Sequence, residues 1–189
     1  MKRFLLLFTL VATCFSVLIA QNGSLPPVDK SPMDMSYYPV NYPVLKIQDK
    51  VTEPLLARVV YSRPKKEGRM IFGGLVEYGK LWRLGANEAT EIEFFKAVRI
   101  NGKKVHKGRY TLFAIANEGS WTIIINKDTD TWGHFKYDIK KDVIRINVPV
   151  QKMNETLEAL AMAFEKTATG IQLVIGWDNL KVAVPIITK

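Results

Sequence analysis

Side chains alternate with a period of two along much of the chain, in short runs that turn residues separate. The runs GRYTLFAI (108–115) and KDVIRINV (141–148) show this alternation, which places successive side chains on opposite faces of a strand. Asn101-Gly102, which precedes the first of these runs, is a strong signal for a tight hairpin turn. Repeated strands with Gly, Asn and Asp turns predict an all-β domain, either a single antiparallel β-sandwich or a barrel.

Three breaks in the alternation predict where the chain bends or turns. The phase slips at Phe95, after Ile92 and Phe94, which predicts a bulge. The run Asn117 to Ser120 predicts a turn between two strands. Asp178-Asn179 lies within IQLVIGWDNLKVAVPI and predicts a final hairpin that turns at these two residues.

Residues 155–166, ETLEALAMAFEK, fit two patterns at once. Ala, Leu, Met and Glu are good helix formers. However, Leu160, Met162 and Phe164 alternate with alanines, and the segment lies between two strand patterns. We predict a strand, because tertiary context often overrides local propensity.

The first 20 residues have the pattern of a cleaved secretory signal peptide. Lys2 and Arg3 precede an apolar run from Phe4 to Ile19, and Ala20 is a small residue at the expected cleavage point. A transmembrane anchor is the alternative, but the run is shorter than the roughly 20 residues that span a bilayer. Cys14 is the only cysteine, and its flanking residues fit a lipid-attachment site poorly. A mature chain that begins at Gln21 would have no disulfide.

Residues 21–45 form a Pro/Tyr-rich segment ahead of the domain at 46–189. Its five prolines predict an extended arm without regular elements. Its Met and Tyr side chains are too apolar for an inert linker. Either these side chains pack on the domain, which we favour, or the arm docks on a partner such as an envelope protein.

The charge of the chain narrows the range of partners. Removal of the signal leaves 25 of the 27 basic residues against 18 acidic ones, a net charge of about +7. This charge favours anionic envelope partners, or it only maintains solubility. The basic residues are scattered, so a nucleic-acid interface is not expected. We also do not expect an integral membrane protein.

No complete catalytic or metal-binding motif is present in the sequence, and we predict no catalytic residue, metal or cofactor. Asp128 and Asp130 offer too few oxygen ligands for a calcium loop and are better explained by a solvated turn. Glu88, Glu91 and Glu93 could serve a hydrolase if burial separated their pKa values. Glutamates on an outer strand face are more often only solvated.

The stretch GKLWRLGANEATEIEF (79–94) contains the densest group of candidate site residues. One interpretation is internal: Arg83 pairs with Glu88, Asn87 closes a turn and Trp82 lies in the core. The other is a groove with an aromatic floor and a polar rim that binds a sugar ring or an anionic headgroup. We favour the internal network. Trp132, which lies near Asp130 and His134 in the sequence, is a further candidate for the same end of the sandwich.

Several blocks of the sequence resemble one bacterial family. They are YSRP (61–64), GRMIFGGLVEYGKLWRLGANEAT (68–90), GRYTLFAI (108–115), WTIIINKDTDTWG (121–133), KDVIRINV (141–148) and VPI (184–186). Over about residues 46–189 the chain resembles the exported family known as "domain of unknown function 2911". The resemblance implies an all-β domain exported in Gram-negative bacteria, to the periplasm or outer surface, and no particular activity. Residues 157–164 are richer in alanine than the family pattern, and no role carries over to His134.

Three functions therefore remain open. The first is a non-enzymatic binding or accessory protein of the cell envelope that recognises a glycan or an anionic envelope component through Trp82, Arg83, Asn87, Glu88 and Trp132. The second is a glycan hydrolase that uses Glu88 or Glu91 with Arg83. The third is a structural subunit of an envelope complex that docks through the arm.

Overall fold

Two antiparallel sheets pack face to face in the computed structural model, which describes residues 25–188. The strands are β1 Met33–Tyr38, β2 Ala57–Ser62, β3 Leu81–Trp82, β4 Glu91–Phe94, β5 Val98–Ile100, β6 Lys103–Val105, β7 Gly108–Ala116, β8 Ser120–Asn126, β9 Asp142–Pro149, β10 Gln151–Thr167 and β11 Gly170–Ile187. A short α-helix, α1 Tyr42–Ile47, and a 3-10 turn, Ile139–Lys141, are the helical elements of the described chain.

The larger sheet has seven strands and the smaller has four. The order in the larger is β1-β2-β4-β7-β8-β9, and β3 also pairs with β7, beyond the end of β4. The smaller has the order β10-β11-β5-β6. The predicted antiparallel β-sandwich is thus confirmed, and the sheets are not closed into the alternative barrel.

The core lies between the sheets because the period-two pattern turns one face of each strand inward. Leu112 of β7 and Ile123 of β8 meet Leu173 and Ile175 of β11 in one continuous apolar cluster. The opposite face of β7 and β8 is also covered at one end. There Phe113 and Ile124 pack under the β8–β9 loop, with Tyr137 edge-on to Phe113 at 5.2 Å between ring centroids.

Residues 155–166 lie within β10, so the strand prediction is confirmed. Met162 pairs with Ile175 of β11, and Leu160, Met162 and Phe164 are all buried. Burial of this apolar face against the larger sheet outweighs the helix propensity of the segment. The Asn101-Gly102 hairpin is also confirmed, with φ values of 51° and 73° that suit a type I′ turn.

Two turn predictions are wrong. Asp178-Asn179 does not end a strand, because β11 continues from Gly170 to Ile187. Asp178 instead has a φ of 54°, and the β10–β11 register shifts next to its pairing with Leu157, so the site is a β-bulge. At Phe95 there is no bulge within one strand. The chain leaves the larger sheet at Phe94 and joins the smaller sheet at Val98.

The Pro/Tyr-rich arm contains regular structure, contrary to expectation. β1 pairs with β2 over six residues, from Met33–Ser62 to Tyr38–Ala57, and forms an edge of the larger sheet. Pro32 and Pro39 flank this edge strand, so neither removes a ladder hydrogen bond within it. Pro43 lies in the first turn of α1, where its missing N–H costs nothing.

The predicted signal peptide, residues 1–20, and Cys14 lie outside the described residues. Within residues 25–188, no helix is both long enough and apolar enough to span a bilayer.

Candidate functional site

Two loops are held together at one end of the sandwich and form the frame of the candidate site. One is the β3–β4 loop, residues 83–90, and the other is the β8–β9 loop, residues 127–138. Ala89 N donates to Thr131 O at 3.0 Å, and Gly133 N donates to Asn87 O at 2.9 Å. These main-chain bonds fix the position of the second loop relative to the first.

Local backbone chemistry explains the shape of the first loop. Asn87 adopts a left-handed φ of 57°, and its side chain donates to Asp29 Oδ1 at 3.0 Å. Asn tolerates this conformation better than most residues, so Asn87 closes a turn, as the internal interpretation expects. Position 85 requires glycine because the backbone there passes close to Ser62, and a Cβ would lie 2.7 Å from Ser62 Oγ.

A cavity of about 530 Å³ opens between this loop, residues 69–82 and His134. We call it the Arg83 cavity; Arg69, Lys80, Trp82, Arg83, His134 and Trp177 are among its lining residues. Its floor is aromatic. Trp82 is buried, and its indole N–H donates to Gly85 O at 3.1 Å. The floor is therefore fixed by the core.

Arg83 lies in this cavity and not in the internal pair that the sequence suggested. Within residues 25–188 no ion pair joins Arg83 to Glu88, so that expectation is wrong. Arg83 Nε is buried and has no hydrogen-bond partner among the described residues. Glu88 is exposed, and its backbone forms a bridge with Trp132. The two side chains lie apart because backbone contacts, and not the attraction between their charges, hold the loop in place.

His134 lines the same cavity beside Arg83. Burial lowers the pKa of its imidazole below 6.5, and the positive charge of Arg83 lowers it further. Both effects lower the pKa of His134 and so favour the neutral form of the imidazole. Its Nδ1 atom is buried and has no partner in the described chain. The imidazole ring also stacks on the ring of Phe135, with centroids 5.6 Å apart and an interplanar angle of 15°.

The charged lining of the Arg83 cavity is mostly basic. Arg69, Lys80 and Arg83 are opposed by Glu77. Arg69 is paired with Glu67 at 3.8 Å, whereas Lys80 and Arg83 form no ion pair with any described residue. A cavity with free cations attracts and orients an anion.

Trp132, in contrast, lies outside the Arg83 cavity. It lines a second cavity of about 430 Å³, formed mainly by the β8–β9 loop, which we call the Trp132 cavity. His134 lines both cavities. The structure therefore brings Trp82 and Arg83 together in one cavity and places Trp132 in the adjacent one. Asn87 and Glu88 line neither cavity and contribute to the backbone that connects the two loops.

Apart from Glu88, which is exposed, the acidic residues considered for catalysis or metal binding are in ion pairs. Glu91 and Glu93 share the outer face of β4, where Glu91 accepts from Asp130 N at 2.6 Å and pairs with Arg109 at 3.4 Å. Glu93 pairs with Arg58 at 2.5 Å. No group of three or more His, Cys, Asp or Glu in residues 25–188 is arranged to hold a metal ion.

His134 is the site residue to which sequence reasoning assigned no role. It follows Trp132 and Gly133 directly, and it is one of only two histidines in the chain. A polar residue between aromatic residues and beside a glycine is only a weak sequence signal for a site residue. The fold was needed to show that His134 lines the cavity.

The chain matches the family described as "Protein of unknown function (DUF2911)" over residues 43–186. It belongs to this family. The match begins after β1, so the edge strand lies outside the family domain. No curated protein and no solved structure shows significant similarity to the chain.

Proposed function

We propose that this DUF2911 protein is an exported, non-enzymatic binding protein of the bacterial envelope that recognises an anionic group in the Arg83 cavity. The group is a carboxylate or phosphate on a glycan or another envelope component. One observation carries the proposal: Arg83 Nε and His134 Nδ1 are both buried and unpartnered within residues 25–188, and both side chains line this cavity. Export is inferred from the apolar run at residues 4–19.

Unpartnered buried polar atoms favour a ligand because they are costly when left unsatisfied. A buried donor without a partner costs about 1–3 kcal/mol, and native structures leave few of them. An anion in the cavity would accept from the Arg83 guanidinium, which can donate two parallel bonds to a carboxylate or phosphate. Lys80 adds a second free cation to the same lining.

The geometry favours binding over the alternative of glycan hydrolysis. Glu91 and Glu93 are engaged by Arg109 and Arg58 on the outer face of the larger sheet. Neither lines the Arg83 cavity, and neither does Glu88. Paired catalytic carboxylates must flank the same scissile bond.

Calorimetry or NMR titration with small anions tests the proposal. Glucuronate, galacturonate and inorganic phosphate separate a carboxylate from a phosphate preference, and glucose is the neutral control. We expect an anion to bind and glucose not to bind. Arg83→Gln should weaken binding at least tenfold, which corresponds to about 1.4 kcal/mol.

Arg99→Gln is the matched control, because Arg99 is exposed on β5 of the smaller sheet and does not line the Arg83 cavity. This variant should bind like the wild type. Binding of no anion, or equal loss in both variants, would refute the proposal.

A further inference from the structure

The Trp132 cavity begins where the Arg83 cavity ends. A Cβ built on Gly133 would lie 3.4 Å from Arg83 Nη1 and 2.7 Å from Phe135 Cε2. The guanidinium and the Phe135 ring therefore approach each other across a single glycine. With His134 in both linings, the two cavities are adjacent subsites that one extended ligand could occupy.

Two exposed aromatic rings lie in the lining of the second cavity. Trp132 is 62% exposed and Phe135 is 76% exposed. The other tryptophans of the described chain, Trp82, Trp121 and Trp177, are all buried. Large exposed aromatic surface in a concave site is typical of a binding surface. One face of Phe135 is already covered by His134.

The charged residues of the remaining lining are mostly acidic, with Lys136 as the basic one, unlike those of the Arg83 cavity. Asp128, Asp130 and Asp138 contribute carboxyl groups. Asp128 pairs with Lys141 through Oδ1, and Asp130 pairs with Arg109 through Oδ2, so each keeps its second carboxylate oxygen as an acceptor. Thr131 Oγ1, also in the lining, is buried without a hydrogen-bond partner in the described residues. Of the four unpartnered buried side-chain atoms in residues 25–188, three belong to Arg83, Thr131 and His134.

We propose that the ligand is an acidic oligosaccharide. Its anionic sugar occupies the Arg83 cavity, and the neighbouring neutral sugar occupies the Trp132 cavity. This inference rests on the proposed function and adds the second sugar. The C–H face of the neutral ring packs on Trp132 and Phe135, while its hydroxyl groups donate to the aspartates and exchange hydrogen bonds with Thr131. Both cavities fall within the roughly 300–1,000 Å³ of small-ligand sites.

The carboxylates distinguish a sugar from the lipid surface that exposed aromatic residues can also indicate. Asp130 and Asp138 would face an apolar or anionic membrane unfavourably. The hydroxyl groups of a neutral sugar are good donors to the same atoms. The mixture of aromatic surface and acceptors therefore favours the sugar.

Hexuronic acid–hexose disaccharides test the inference against the corresponding free uronic acids. Cellobiouronic acid is compared with glucuronate and cellobiose, and disaccharides of galacturonic and mannuronic acid extend the panel. We expect at least one disaccharide to bind about tenfold more tightly than its free uronate, and cellobiose to bind more weakly than either. Trp132→Ala should lower the affinity for the disaccharide to about that for the free uronate, whereas Trp132→Phe should retain most of the gain.

Tryptophan fluorescence gives an independent readout, because Trp132 is the exposed tryptophan of the described chain. The disaccharide should shift the emission to shorter wavelength and reduce acrylamide quenching, and both effects should vanish in Trp132→Phe. If uronates bind and no disaccharide gains affinity, the second subsite is refuted while the proposed function stands. If anionic vesicles bind through Trp132 and disaccharides do not, a lipid surface replaces the sugar. If only inorganic phosphate binds, the oligosaccharide is refuted while the proposed function stands. If phosphate, uronates and disaccharides all fail to bind, both proposals fail.

Discussion

Trp82 of β3 stacks on Trp177 of β11, with ring centroids 6.1 Å apart and planes 22° from parallel. Phe72 lies edge-on to both rings, at 6.4 Å and 6.5 Å between centroids. β3 belongs to the larger sheet and β11 to the smaller. The stacked pair therefore joins the two sheets beneath the Arg83 cavity, and the floor of the cavity is also part of the core.

Trp177→Ala should lower the free energy of unfolding by about 3–5 kcal/mol, the usual cost of removing a buried large aromatic side chain. The change leaves Trp82 without its stacking partner and removes the hydrogen bond from Trp177 Nε1 to Glu158 O, 3.3 Å long. Urea denaturation followed by circular dichroism measures the loss.

Trp132→Ala is the matched control for this variant, because Trp132 is mostly exposed. Its effect on the free energy of unfolding should stay within about 0.5 kcal/mol. Equal losses in the two variants would contradict the assignment of Trp177 to the core and Trp132 to a surface site.

Gly133→Ala should both destabilise the fold and displace the ring of Phe135. Gly133 has a φ of 67°, and an added Cβ would meet Phe135 at 2.7 Å and Arg83 at 3.4 Å. The left-handed backbone costs of order 1–3 kcal/mol, and the exposed Phe135 ring must also shift to admit the added Cβ.

Gly102→Ala separates the backbone cost from the steric one. Gly102 has a φ of 73°, close to that of Gly133, but a Cβ there would meet nothing within 4 Å. We expect Gly133→Ala to be the more destabilising of the two in denaturant titrations, because Phe135 must move only in that variant. If the two variants lose the same stability, the packing at Gly133 does not have the proposed effect.

The sandwich could be predicted from the sequence because side-chain alternation depends directly on burial. β10 shows this most clearly, since its apolar alternation identified a strand despite strong helix propensity. The bulge at Asp178 could not be predicted in the same way. Asp favours left-handed φ in a turn and in a bulge alike, and only pairing with β10 distinguishes the two.

The site was less predictable than the fold, because the contacts that form it are distant in sequence. Trp82 and Arg83 were identified from local composition. A third residue that lines their cavity, His134, lies on a loop between two other strands. The expected Arg83–Glu88 pair assumed that neighbouring opposite charges meet. In the fold, Glu88 is directed by its backbone bridge to Trp132.

His134 should titrate below pH 6.5, which NMR of the imidazole resonances can measure, with His106→Asn to assign them. Burial is the main cause of its lowered pKa and the charge of Arg83 is the second. Arg83→Gln should therefore raise the pKa of His134, and a bound uronate should raise it too. A value at or above 6.5 in the free wild type would contradict the described burial.

The lowered pKa of His134 also predicts how the free energy of unfolding depends on pH. The unfolded chain takes up a proton at His134 near pH 6.5, and the folded chain does so only at lower pH. Between these two values the unfolded state binds more protons, so stability falls as the pH decreases through this window. His134→Asn should remove this part of the pH dependence and leave the rest unchanged.

Deletion of residues 21–40 should destabilise the domain and promote self-association. Tyr38 is 8% exposed, and Ser36 Oγ donates to Met162 O of β10 at 2.6 Å, so β1 connects the larger sheet to the smaller. Its removal should cost at least about 2 kcal/mol from the loss of aromatic burial. It also leaves β2 as an unprotected edge, which invites pairing with another chain. Denaturant titration and light scattering measure the two effects.

Deletion of residues 21–28 alone is the control, because it keeps β1 and the Asp29–Asn87 hydrogen bond of 3.0 Å. This variant should match the chain that begins at Gln21 in stability and in oligomeric state. A stable, monomeric protein after the longer deletion would show that β1 contributes little to the fold. Loss of an envelope protein partner on that deletion would then favour the arm as a docking element.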